Sequence, residues 1–177
     1  KHTKLDGSAP VLLYGYGSYG ITIPASFSVT RLSLVNRGFI YAIAHIRGGK
    51  ARGHDWFTQG RGPQKTNTFH DFISVARDLI ARGWTRKKQI TIHGGSAGGL
   101  LVGASVNMAP SLFRGAVAEV PFVDVLTTML DASLPLTPPE WPEWGNPIAS
   151  AEAYQLIAGY APYENITATA YPHILAT

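Results

Sequence analysis

The run QITIHGGSAGGLLVGASVNM (89–108) decides the fold. QITIH (89–93) is apolar and β-branched, short enough for a strand, and ends at glycine. Ala97–Met108 is built of small and aliphatic residues without a charge and stops before Pro110, which predicts a helix. Between them, with no spacer, stands Gly-x-Ser-x-Gly: Gly94, Ser96 and Gly98. A strand, a sharp turn and a helix around this pattern make a nucleophile elbow. The glycines let the strand and helix backbones approach. The serine hydroxyl is left exposed at positive φ, and the next amide, on Ala97, points into the same space. The helix N-terminus adds positive potential where an oxyanion would form. The competing reading is a glycine-rich turn in which Ser96 only caps the helix.

Outward from the elbow, strands and helices alternate. Pro10–Tyr14, Phe39–Ile46 and Ala116–Val120 read as strands, and YPHILAT (171–177) starts another. Helices are predicted over Phe27–Asn36, Thr68–Arg82 and Ser150–Ala158. In the second of these Phe69, Phe72, Ile73, Ala76, Leu79 and Ile80 share a face, Thr68 with Asp71 fits a capping box, and Gly83 fits the stop. The five prolines of LPLTPPEWPEWGNP (134–147) predict an irregular excursion. Such alternation implies a mostly parallel sheet with helices on both faces, and no internal boundary divides 1–177.

Composition narrows the function. Over 177 residues, 45% hydrophobic and 15% charged content excludes a disordered chain. Without cysteine there is neither a disulfide framework nor a thiolate metal site, and no His-x-x-x-His pair or carboxylate cluster suggests a metal or organic cofactor. No apolar run is long enough to span a membrane, and 1–10 has no apolar core for a leader, which is compatible with a cytoplasmic protein. The net charge of +4 is scattered; its densest cluster, Arg86-Lys87-Lys88, reads as a solvated loop rather than a nucleic-acid contact.

A second glycine motif, Gly15-Tyr16-Gly17-Ser18-Tyr19-Gly20, matches Gly-x-Gly-x-x-Gly after a strand. A dinucleotide site would need a helix at the third glycine and an acidic residue about 20 positions on. Instead Ile21-Thr22-Ile23-Pro24 follows, and no Asp or Glu stands between Asp6 and Asp55. The segment is a loop across the carboxyl ends of the strands. There the Tyr16 phenol is either a donor to an oxyanion or a packed aromatic.

YGYGSYG (14–20), RLSLVNRGFIYAIAHIRGG (31–49), NTF-x-DF (67–72), GGSAGGLLVGA (94–104) and VPFVDVLTTMLD (120–131) together resemble the catalytic domain of the prolyl oligopeptidase family. VPFVDVLTTMLD followed by 134–147 is most similar to its oligopeptidase B branch. The resemblance implies a partial α/β-hydrolase fold, incomplete at both ends, of a serine peptidase that cleaves short peptides after Arg or Lys beneath a β-propeller. By position it implies Ser96 as nucleophile and the Tyr16 hydroxyl with the Ala97 amide as oxyanion hole. It also implies Glu140 as the carboxylate facing a basic P1 side chain. A buried carboxylate suits that task, since a bidentate pair offsets the desolvation of both charges. Three departures are notable: Pro142 replaces a second acidic residue of the substrate loop, Pro24 and Ser26 replace an acidic pair that reads P2, and Lys50-Ala51-Arg52 replaces a Gly-Glu-Leu.

A serine nucleophile needs a base and a group to orient it. His173 opens a strand, on the wrong end of the sheet; His93 lies under the elbow; His45 and His54 fit no known chain order. Asp124, just past a strand, is a position some hydrolases use, but the resemblance implies an acid after the strand at 171–177. The expectation is therefore that both acid and base lie beyond Thr177, that the chain is a piece of a longer protein, and that alone it is inactive. Alternatives are an esterase or acylaminoacyl-peptidase on the same scaffold, or a non-catalytic remnant.

Overall fold

The computed structural model describes residues 3–177; Lys1 and His2, which open the 1–10 segment, lie outside them. Five parallel strands form one sheet: β1 (Val11–Tyr14), β2 (Ile40–Ile43), β3 (Ile90–Gly95), β4 (Gly115–Glu119) and β5 (His173–Ala176), in the order β2-β1-β3-β4-β5. Leu13 pairs with Ala42 on one side and Ile92 on the other, and Ile92 pairs in turn with Ala116. The order turns back at β1. Right-handed crossovers then place α1 (Val29–Asn36) on one face, and α3 (Thr66–Ala81) with α4 (Ala97–Met108) on the other, where these two pack together. This is the α/β-hydrolase arrangement, and its switch point lies beside the carboxyl ends of β1 and β3.

The central strands alternate: one face is fully buried, and the other, which carries Leu12, Tyr14, Thr91 and His93, is half-buried. Val11, Leu13, Ile90 and Ile92 have no exposed surface, and Phe69, Phe72 and Ala76 of α3 close over them with Leu100 and Leu101 of α4. Each such side chain contributes about 1.5–3 kcal/mol by leaving water. Ser28 caps α1, and Gly38, at φ +89°, stops it. Gly83, at φ +71°, ends α3 as predicted. Ser150 caps α7 (Ala151–Tyr160) through the Ala153 amide. Arg86, Lys87 and Lys88 are exposed, as expected of a solvated loop.

Two expectations need correction. The proline-rich stretch is not irregular: Thr137–Trp144 is helix α6. Pro138 and Pro139 sit in its first turn, where amides have no intrahelical acceptor anyway, so only Pro142 removes a bond. Nor do Thr68 and Asp71 form a capping box, since α3 begins at Thr66. The Thr68 hydroxyl donates to the Arg47 and Gly60 carbonyls, and Asp71 takes both forks of the Arg47 guanidinium at 2.7 and 2.6 Å. Tertiary partners outbid the local cap. Helices α2 (His54–Thr58) and α5 (Val125–Leu130) are short elements that periodicity did not reveal. Among the described residues no helix is long and apolar enough to cross a membrane, and no group of three His, Asp or Glu gathers as a metal site.

Candidate active site

Ser96 sits between β3 and α4 at φ +56°, a left-handed conformation that costs a non-glycine residue about 1–2 kcal/mol. The main chain holds it there. Its amide donates to the Glu119 carbonyl at 2.9 Å, and its carbonyl accepts from Gly99 at 2.8 Å and Phe122 at 3.0 Å. The turn is possible only because its flanks lack side chains. A Cβ on Gly94 would lie 2.3 Å from the Gly98 carbonyl oxygen, and one on Gly98 would lie 2.9 Å from that of Gly15. Ser96 is exposed and Ala97, just after it, is buried. As the first residue of α4, Ala97 has an amide with no intrahelical acceptor.

Tyr16 follows β1, the neighbour of β3, and is half-buried. Burial pushes its phenol pKa up, and the hydroxyl of Ser96, with which it interacts, pulls the other way. An exposed serine, a half-buried phenol on the neighbouring strand's exit and a helical amide without an intrahelical acceptor therefore lie at the same end of the sheet.

Beyond Ser96 opens a cleft of about 360 Å³, walled by Val120, Phe122, Met129 and Leu136, with Tyr19 and Glu140 across from the serine. Glu140 is on α6, partly buried rather than on a solvated loop. Its Oε2 accepts from the Tyr19 hydroxyl at 2.7 Å and from Trp144 Nε1 at 2.6 Å. Both donors therefore fix one carboxylate oxygen, and among the described residues no side chain hydrogen-bonds the other. Pro142 is exposed on the same helix. Tyr19, Ser96 and Val120 are three of the four non-glycine residues at positive φ among those described, and all three line this cleft.

The other candidates have separate partners. His93 packs edge-on against Tyr14 and brings Nε2 to 3.1 Å from Glu119 Oε2, off the line of a hydrogen bond. The His45 Nε2 meets the Ile23 carbonyl at 2.7 Å, and His54 packs against Phe57. His173 pairs with Gly115, which is level with Thr91, so Ser96 stands five residues, about 16 Å, further along the strand direction and two strands across. Asp124 caps α5, accepting from the Thr127 amide at 3.3 Å. None of these contacts includes Ser96.

Sequence reading missed four contributors. Tyr19 lay inside a motif read only for its glycines. Trp144 and Glu143 lay in a segment read as irregular. Lys65 had no motif at all, yet it is buried beneath the Tyr16–Tyr19 loop, with Nζ donating to the Gly17 carbonyl and to Ser18 Oγ, each at 2.8 Å.

Residues 25–177 match the sequence model of the Prolyl oligopeptidase family. The chain is 49% identical over 172 residues to dipeptidyl aminopeptidase BI of Pseudoxanthomonas mexicana, covering 97% of this chain and 24% of that one. It is 48% identical to protease 2 of Moraxella lacunata, covering 97% and 25%. The structure of oligopeptidase B from Leishmania major superposes with a TM-score of 0.96 at 47% identity, over 99% of this chain and 24% of that one. The chain thus spans about a quarter of the length of the relatives it matches.

Proposed function

The chain belongs to the prolyl oligopeptidase family, and from that premise we propose that it is the nucleophile-bearing part of a serine oligopeptidase that cleaves short peptides after Arg or Lys. One observation carries the reading: an exposed serine held at positive φ on a strand-to-helix turn shares a cleft with a carboxylate fixed by Tyr19 and Trp144. The Ser96 Oγ attacks the scissile carbonyl carbon. The oxyanion accepts hydrogen bonds from the Ala97 amide and the Tyr16 hydroxyl, which strengthen as charge develops. A general base takes the serine proton and returns it to the departing amine as the C–N bond breaks; water then releases the acyl group by the same steps. Glu140 faces the P1 cation along a cleft whose Phe122 and Met129 walls receive its aliphatic stem. With Pro24, Ser26 and Pro142 in place of acids, basic preference is confined to P1.

The base and its orienting acid come from chain outside residues 1–177. This part of an α/β-hydrolase domain works beneath a β-propeller in the longer protein, and by itself it turns over no peptide. The support is that each histidine described above has another partner or lies at the wrong end of the sheet.

The test uses the full-length protein and its Ser96→Ala variant against arginyl amides and simple esters, with fluorophosphonate labelling of Ser96 as the direct readout. Hydrolysis of arginyl amides that disappears in the variant supports the reading. Turnover of esters alone would favour an esterase. Absence of labelling would leave a non-catalytic domain. For residues 1–177 alone, an acylation burst equal to that of the full-length protein would refute the missing base.

A further inference from the structure

Lys65 precedes α3 and is 1% exposed, although a buried ammonium is costly and an apolar side chain would fill the same space. Its three protons are accounted for. Two go to the Gly17 carbonyl and Ser18 Oγ, and the remaining direction faces the Trp144 ring, whose centroid is 4.9 Å from Nζ. Each partner leads to the proposed site. Gly17 and Ser18 lie between Tyr16 and Tyr19. The Trp144 indole donates to Glu140, and the Tyr19 ring packs edge-on against it at 5.6 Å. Glu143, buried nearby, accepts the Tyr19 amide at 2.9 Å and so grips the same loop from α6.

We propose that Lys65 is a positioning residue: its Nζ pins the Gly17–Ser18 turn beside the Trp144 ring and thereby holds the Tyr16 hydroxyl over Ser96. A glycine-rich loop has no stiffness of its own. Gly17 stands at φ +79° and Gly20 at φ +68°. What fixes the phenol is the amino group under it, and the inference rests on the proposed role of Tyr16.

Lys65→Met in the full-length protein keeps the length of the side chain and removes the charge; Ser18→Ala is the milder variant, losing one of the contacts. The first readout needs no activity. Three amides of the loop are tied down, Tyr19 to Glu143, Gly20 to the Gly48 carbonyl and Ile21 to the Ser18 carbonyl. Their hydrogen exchange should quicken about tenfold or more in Lys65→Met, and by less in Ser18→Ala, while α4 amides keep their rates. Unchanged exchange at Tyr19–Ile21 in both variants would overturn the proposal, whatever the kinetics do. The second readout is a double-mutant cycle. Tyr16→Phe and Lys65→Met should each lower kcat about 10- to 100-fold with KM little moved. Together they should cost barely more than Tyr16→Phe alone. Additive losses would mean that Lys65 does not act through Tyr16. If Lys65→Met does not fold, the same two measurements on Ser18→Ala decide. Loss of function in the proposed reading is separately visible, as equal inactivity of wild type and Ser96→Ala, and leaves the exchange test standing.

Discussion

Gly94→Ala adds one methyl group at the point where β3 and α4 come closest. Its Cβ would lie 2.3 Å from the Gly98 carbonyl oxygen, 2.7 Å from the Gly98 carbonyl carbon and 3.0 Å from the Gly15 carbonyl oxygen. All three are backbone atoms, so no side chain can swing aside. Ordinary contact begins near 3.4 Å, and relief requires α4 to withdraw by about 1 Å. Overpacking of this kind costs about 1–3 kcal/mol of stability. The catalytic loss should be of similar or larger size, because α4 carries the Ala97 amide and Gly15 adjoins Tyr16. A misplacement of about 1 Å costs about 100-fold, or about 2.7 kcal/mol of activation free energy. Gly38→Ala is the control. It sits at φ +89° with nothing within 4 Å of the new methyl, far along the sequence from the elbow. It should lose about 1 kcal/mol to backbone strain and no activity. The assay is kcat/KM on an arginyl amide with the full-length protein, paired with melting temperature. A Gly94→Ala protein as active as Gly38→Ala would refute the account of the elbow.

Tyr16→Phe keeps the packed ring and removes one oxyanion donor; kcat should fall about 100-fold with KM within about twofold, as steady-state kinetics will show. Glu140→Gln should lower kcat/KM for arginyl and lysyl amides about 30-fold or more while sparing a substrate with an apolar P1 residue, and equal losses on both would count against a charge-reading role. Burial lowers the Lys65 pKa from 10.5 to about 7. Below pH 7 folded and unfolded chains both hold the proton, and the folded state bears the full burial penalty. Between pH 7 and 10 the folded state releases it first, so stability rises with pH across that window. The wild-type melting temperature should therefore climb relative to Lys65→Met from pH 7 to 10, and a flat or falling difference would refute the shift.

The elbow was legible because its chemistry is local. Strand, glycine, serine and helix follow one another in 89–108, and the glycines that make room for the turn at Ser96 are its neighbours in sequence. Strands β1 to β4 were legible too, as short, largely apolar runs set between helical patterns and turn residues. Tyr16 stood out by its place after a strand, but only resemblance chose between donor and packed aromatic, and Glu140 emerged through resemblance alone; 124 positions separate them, and no periodicity speaks across that gap. Helix α6 was misread because proline was counted as a breaker without asking where in a turn it falls. The Thr68–Asp71 pattern was read as local when its partners are Arg47 and Gly60. Lys65 could not have been found, for a buried lysine looks like any surface lysine until its partners, 47 and 48 residues away, are known.

Ser96, Tyr19 and Val120 all occupy backbone conformations that L-amino acids resist, and they meet around a single opening. Robustness and turnover are thereby set against each other at the same few positions. Variants selected only for heat tolerance should accumulate glycine at these three sites, and a lineage that no longer needed catalysis would relax here before it lost any of its hydrophobic interior.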